Sequence, residues 1–176
     1  MGYQTIEVRK LTPCIGAEIF GVDLAKPLGN QAFQEVHDAL MANLVIFFRD
    51  QQLSHEQHKA FGRRFGELHL HPTSTRGGEH PVVRTHPVTG RKALYVNRNF
   101  TTRIAGLKKS ESDALLEMLY RHSETPEFQC RFAWQPNSIA FWDNRAAMHH
   151  AMWDYFPHKR LGYRVTVKGD KPFYRA

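Results

Sequence analysis

With 176 residues, 41% of them hydrophobic, one domain is the natural count and there is enough chain for a real core. No run of about 18 apolar residues occurs, the N-terminus lacks the apolar stretch of a signal peptide, and Cys14 and Cys130 cannot build a disulfide framework, so a reducing, cytoplasmic setting without a membrane is expected. The net charge is +7, but Lys and Arg are scattered in short pairs such as Arg63-Arg64 and Lys108-Lys109, which reads as a solvated basic surface suited to steering small anions rather than as a nucleic-acid groove.

Residues 3–8 alternate in polarity and predict a strand, and residues 16–24, with glycines at the turns, predict a second. Asn30 reads as the N-cap of a helix to about Asn43, because Phe33, Val36, Leu40 and Leu44 fall at helical spacing. Residues 45–48, Val-Ile-Phe-Phe, are too apolar for a surface helix and predict a buried strand. Ser54 with Gln57 three residues on has the form of a capping box, opening a helix from His55 to about Phe65. His69 and His71 would share one strand face, a spacing that can bind a metal but here lacks a third ligand close by. Residues 73–81 form a loop by composition, and residues 93–97 predict a strand after a turn. Ser110 reads as the cap of a helix from Glu111 to about His122 that buries Leu115, Leu116 and Leu119. Strands are expected at 129–134, 139–143 and 161–168. His122-Ser-Glu124 is a formal His-x-Glu pair, but it falls at a helix end before Pro126, where a structural role is expected.

The densest chemistry lies in Trp142-Asp143-Asn144-Arg145 and the following His149-His150, which come straight after the apolar run 138–142. Arg160 and Arg164 follow, the latter opening the β-branched run Arg164-Val-Thr-Val. An imidazole on a loop between strands, with arginines on the next strand, could hold a metal beside an anionic ligand.

This stretch resembles the TauD/TfdA family of iron(II)- and 2-oxoglutarate-dependent oxygenases, whose motif is Trp-Asp-Asn-Arg, three residues, then His. The resemblance extends to residues 13–24, to Phe47-Phe-Arg-Asp-Gln, to 65–72, to His80-Pro-Val-Val-Arg-Thr-His-Pro and to Gly169-Asp-Lys-Pro-Phe-Tyr. It implies a mainly β domain with flanking helices, a double-stranded β-helix of jelly-roll type. It implies Fe(II) as cofactor and 2-oxoglutarate as cosubstrate, with oxidative decarboxylation of the keto acid by O2 coupled to hydroxylation of a C–H bond. By the family's pattern His149 is an iron ligand, and Arg160 holds the far carboxylate of 2-oxoglutarate through its planar, permanently charged fork. His71, Phe100 and Arg164 face the substrate, and they favour a small anionic one such as a sulfonate or sulfate ester. The taurine enzyme's tyrosine three residues after the pocket histidine is Ser74 here, which argues against taurine itself. His150 is read as a residue that either supports the ligand from behind or packs beside it.

One part of the family's pattern is absent. The family holds iron with a His-x-Asp pair and a distant second His, and no His-x-Asp occurs in this sequence. Family members are longer, and the segment carrying that pair would fall between about Arg76 and His80, so the β-helix is expected to be incomplete. Two readings follow: a dioxygenase whose first His and carboxylate come from elsewhere, or a non-catalytic relative without a competent iron site. A sheet missing some of its strands has open edges, so poor stability or homo-oligomerisation is expected.

Overall fold

The computed structural model describes residues 2–69 and 78–176. Its centre is a four-stranded sheet made of β1 (Glu7–Lys10), β2 (Ala17–Phe20), β3 (Val45–Phe48) and β6 (Ile139–Trp142), in the order β1-β2-β3-β6. β2 and β3 are parallel, joined by helix α1 (Asn30–Asn43) as the crossover; the two outer pairings are antiparallel. β4 (Val83–Thr85) and β5 (Lys92–Leu94) form a separate two-stranded hairpin. Helix α2 (His55–Arg63) follows β3, and α3 (Lys109–Ser123) follows β5.

β3 is buried along its whole length because both faces of the sheet are covered there. Ile46 and Phe48 point to the side where Val36, Ala39 and Leu40 of α1 and Ile19 of β2 form the main core. Alternation sends Phe47 to the other side, where its ring stacks on Phe132 at 3.9 Å between centroids. Each fully buried side chain of this kind contributes about 1.5–3 kcal/mol. α2 closes one end of the core through an aromatic cluster: Phe61 meets Phe48 and Phe141, and Phe65 lies 4.6 Å from Phe141. A smaller core of Val96, Leu116 and Tyr120 joins α3 to the chain following β5.

The chain end is tied to this frame. The Thr85 N–H donates to the Phe173 carbonyl at 2.7 Å, and the Arg175 N–H donates to Thr85 Oγ1 at 2.9 Å. Leu68 pairs with Val167 in an isolated bridge, flanked by His69 N–H to Thr166 O at 2.7 Å and Lys168 N–H to Glu67 O at 2.8 Å.

Helix α1, β3, β6 and the capping box at Ser54 fall where the sequence predicts them. Other elements differ. The first two strands are shorter, at Glu7–Lys10 and Ala17–Phe20. The cap of α1 is Gly29, so Asn30 is already helical. α3 starts before Ser110: Lys108 is its N-cap residue, and the Glu111 carboxylate accepts the Lys108 N–H at 3.1 Å. Leu115 is exposed, whereas Ser112, Leu116 and Tyr120 face inward. The strand expected at 93–97 is Lys92–Leu94. Residues 129–134 are not a strand; Phe132 and the Ala133 carbonyl are gripped instead by Phe47 and the Arg49 guanidinium. The strand expected at 161–168 is reduced to the bridge at Val167. Among the described residues the sheets do not close into a barrel. His71 and the loop beginning at Thr73 lie outside the described residues as far as position 77.

Candidate active site

β6 delivers the Trp142–His149 stretch to the edge of the sheet. Its register is set by β3, with Trp142 opposite Val45, and the ladder extends one step further as the Asp143 N–H donates to the Leu44 carbonyl at 2.9 Å. The chain then turns sharply, because the Asp143 carbonyl accepts the N–H groups of Ala146 and Ala147 at 3.0 and 2.9 Å.

The Asp143 carboxylate is buried, and every hydrogen bond it makes points inward to the turn or to the β4–β5 hairpin. Oδ1 accepts the backbone N–H of Arg145 at 2.9 Å and its Nε–H at 2.8 Å. Oδ2 accepts an Arg145 Nη2–H at 2.7 Å and lies 2.9 Å from His86 Nε2. Burial alone would raise its pKa; the bonds from Arg145 and His86 outweigh burial and hold the carboxyl below its usual value. Asp143 is therefore ionised, and its two oxygens are saturated by these donors. Arg145 is committed in the same way: its pairing with Asp143 raises its pKa further.

This turn places the His149 ring 4.5 Å from the Trp142 ring, while the Trp142 indole N–H donates to Asn144 Oδ1 at 2.9 Å. His149 remains exposed overall; its partial burial, and secondarily the charge of Arg164, push its pKa down. A neutral imidazole keeps a lone pair free to bind a metal. Arg164, the next candidate, is exposed.

The remaining candidates are more dispersed. Arg160 is exposed, its guanidinium 5.4 Å from the Tyr155 ring. Phe100 is 80% exposed, which rules out core packing as its role. The His122–Glu124 pair is spent on the surface of α3, where Glu124 accepts from Arg98 and the His122 ring meets Phe128. His150 is exposed rather than packed. Two surface depressions, one beside Lys59, Gly66 and Leu68 and the other beside Thr102, Leu107 and Ser112, contain none of the predicted site residues.

A bound iron ion needs donors beyond His149. Among the described residues no group of three His, Cys, Asp or Glu converges. Asp143, six residues before His149, has no lone pair left for a metal, and Asp154, five residues after it, is paired with Arg131. The residues described here therefore do not fit a complete iron centre.

His86 and Arg84 are the residues to which the sequence assigned no role. Both are buried, His86 against Asp143, and Arg84 with Nη2 donating to both Asp170 oxygens, Oδ2 at 2.7 Å and Oδ1 at 2.9 Å. The available signal was their place in His80-Pro-Val-Val-Arg-Thr-His-Pro, one of the stretches that carry the family resemblance. Their partners lie far away in sequence and carry no local mark.

The fold and the Trp-Asp-Asn-Arg turn at the end of β6 define a protein of the taurine-dioxygenase type: a taurine dioxygenase from Burkholderia xenovorans aligns with a TM-score of 0.86 and 30% identity, covering 96% of this chain and 93% of that one. A family model described as taurine catabolism dioxygenase TauD, TfdA family matches residues 7–79 and 73–166, and the chain belongs to that family. An alpha-ketoglutarate-dependent sulfonate dioxygenase from Saccharomyces cerevisiae is 43% identical over 95 residues, which are 53% of this chain and 23% of the yeast protein. The match thus spans about a quarter of the length of such curated relatives. An alkylsulfatase from Acinetobacter baylyi is 25% identical over 274 aligned positions, covering 95% of this chain and 86% of the alkylsulfatase. That alignment has more positions than this chain has residues, so the alkylsulfatase carries sequence with no counterpart here.

Proposed function

We propose that the chain serves the reaction class of Fe(II)- and 2-oxoglutarate-dependent dioxygenases acting on a small sulfonate or sulfate ester, and that the described residues alone do not complete the iron site. Family membership and the names of the sulfonate dioxygenase and alkylsulfatase relatives support the reaction class and the anionic substrate. The observation that carries the assignment of the site is the placement of the His149 ring 4.5 Å from Trp142, at the end of a Trp-Asp-Asn-Arg turn that Leu44 and His86 hold in place. An imidazole held at a fixed place by such a turn suits a metal donor. In this reading His149 supplies one metal donor and Arg160 takes the far carboxylate of 2-oxoglutarate. Arg164, His71 and Phe100 face the substrate.

The second reading, a relative without catalysis, is favoured by the saturated Asp143 and by the lack of three converging donors among the described residues. One imidazole without its chelating partners binds a metal weakly.

Anaerobic titration with Fe(II) and 2-oxoglutarate, followed by visible absorbance on protein of known intact mass, decides between them. A charge-transfer band that disappears in His149→Ala means a complete centre, with donors outside the described residues. No band at the mass of 176 residues means that the chain keeps the family's shape without its iron chemistry.

A further inference from the structure

We propose that His86 is a positioning residue: as a neutral imidazole protonated on Nε2, it fixes the Asp143 carboxylate and so sets the turn that carries Arg145 and His149. The inference deepens the site described above and rests on His149 belonging to that site, but its geometry stands independently.

The protonation of the ring follows from the donors around it. Nδ1 faces two backbone N–H groups, those of Val88 at 3.3 Å and Thr89 at 3.1 Å. Both can only donate, so Nδ1 must present its lone pair. The single proton of a neutral imidazole then sits on Nε2, where Asp143 Oδ2 accepts it at 2.9 Å. The backbone of His86 is equally constrained. Its N–H donates to the Arg91 carbonyl at 2.8 Å, and its carbonyl accepts the Gly90 N–H at 2.9 Å, closing the turn that leads into β5. Gly90 has φ +70, a conformation that glycine adopts without strain. The side chain is 3% exposed, so water does not compete for either nitrogen.

The consequence is directional. The β4–β5 turn dictates the tautomer of His86, and the tautomer makes Nε2 the donor to Asp143 Oδ2. Arg145 must then approach Asp143 through the remaining lone pairs, as its Nε and Nη2 do at 2.8 and 2.7 Å. The turn from 143 to 147 is thus pinned from two sides, by Leu44 on β3's end and by His86 on the hairpin. His149, a few residues on, takes its place over Trp142 from that turn. A histidine that merely filled space would make no such demand on one tautomer.

The test is side-chain NMR on the uniformly 15N-labelled full chain, together with His86→Gln and His86→Phe. In the unmodified protein His86 should appear as the Nε2–H tautomer with a slowly exchanging proton. The His149 ring protons should be displaced by the ring current of Trp142. His86→Gln keeps an N–H directed at Asp143 and should leave the Trp142 indole, Arg145 Nε–H and His149 signals close to their original positions. His86→Phe keeps the bulk and removes the donor. It should shift all three signals and speed Arg145 Nε–H exchange by about tenfold or more. An Nδ1–H tautomer in the unmodified protein would overturn the proposal. So would identical behaviour of the two variants at Arg145 and His149. Should His86→Phe not fold, the tautomer and the Nε2–H exchange of the unmodified protein still decide. None of these readouts involves iron or 2-oxoglutarate, so failure of the proposed reaction and failure of this assignment are separately visible.

Discussion

The Asp143 N–H donates to the Leu44 carbonyl at 2.9 Å, at the point where helix α1 ends and β3 begins. Leu44 makes this possible by adopting a left-handed conformation, φ 67, as the C-cap of α1, with its own N–H bonded to the Leu40 carbonyl at 2.8 Å. A leucine in this conformation stores about 1–2 kcal/mol of strain. Leu44→Gly removes that strain and gives up a half-buried side chain, so the two effects nearly cancel. Its unfolding free energy should lie within about 1 kcal/mol of the parent. Leu40→Ala, one turn earlier in the main core, should cost about 2–5 kcal/mol. Urea melts of the pair check this. A Leu44→Gly loss as large as that of Leu40→Ala would mean that the bend is held by side-chain packing and not by the backbone.

Gly62 lies on α2 where the chain near its end crosses the helix. A Cβ at this position would stand 2.9 Å from Val165 Cγ1 and 3.2 Å from Leu68 Cδ2. In an open helix Gly→Ala stabilises by about 1 kcal/mol. Here the contact should reverse the sign, with Gly62→Ala destabilising by about 1–3 kcal/mol. Combining it with Val165→Ala should recover part of the loss. Additive effects in a double-mutant cycle would count against direct contact.

Arg84 is 1% exposed and depends on Asp170 for its charge, with Tyr95 under its guanidinium at 4.9 Å. Asp170→Asn strands that charge and should cost about 3–5 kcal/mol. The double change Arg84→Met with Asp170→Asn should cost markedly less, because no buried cation is left unpaired. Chemical denaturation of the two variants tests the ordering; a double variant less stable than Asp170→Asn would contradict it.

Acid should weaken the site's anchor before the core gives way. The Asp143 carboxyl is held below its unfolded value, so its stabilisation is fully present above about pH 4 and is lost as pH falls through its lower folded value. Glu35, which accepts N–H groups from Gln4 and Thr5 and is held at about 2, adds to the same acid limb. Asp143→Asn should lower stability by about 3 kcal/mol at neutral pH and flatten part of the decline below about pH 4. Urea midpoints at several acidic pH values measure the slope. An unchanged acid slope in Asp143→Asn would show that other carboxylates carry it.

Local signals in the sequence located the parts that need only local physics. The capping box of Ser54 and Gln57 forms as its spacing requires, and the four apolar residues of β3 are buried because both sheet faces are covered. The chain near Phe132 misled because its aromatic residues have strand propensity, yet they are used as side-chain plugs over Phe47 and Arg49. Residues 161–168 have the composition of a strand, but among the described residues only Leu68 bridges to them, so composition found no ladder to join. The Trp-Asp-Asn-Arg motif marked the right turn. Its Asp143 belongs to the hairpin through His86, a contact 57 positions away that no periodicity encodes.

The pairing of β3 with β6 also bears on the order in which the chain folds. β1, β2, α1 and β3 are contiguous and make their contacts over short loops, so they can collapse early. β6 reaches β3 only after closing a loop of roughly a hundred residues, which carries a larger entropy penalty. The turn from Asp143 to His149 is therefore organised late, and during synthesis the first three strands must wait, with the edge of β3 unpaired, until the ribosome has delivered Ile139–Trp142.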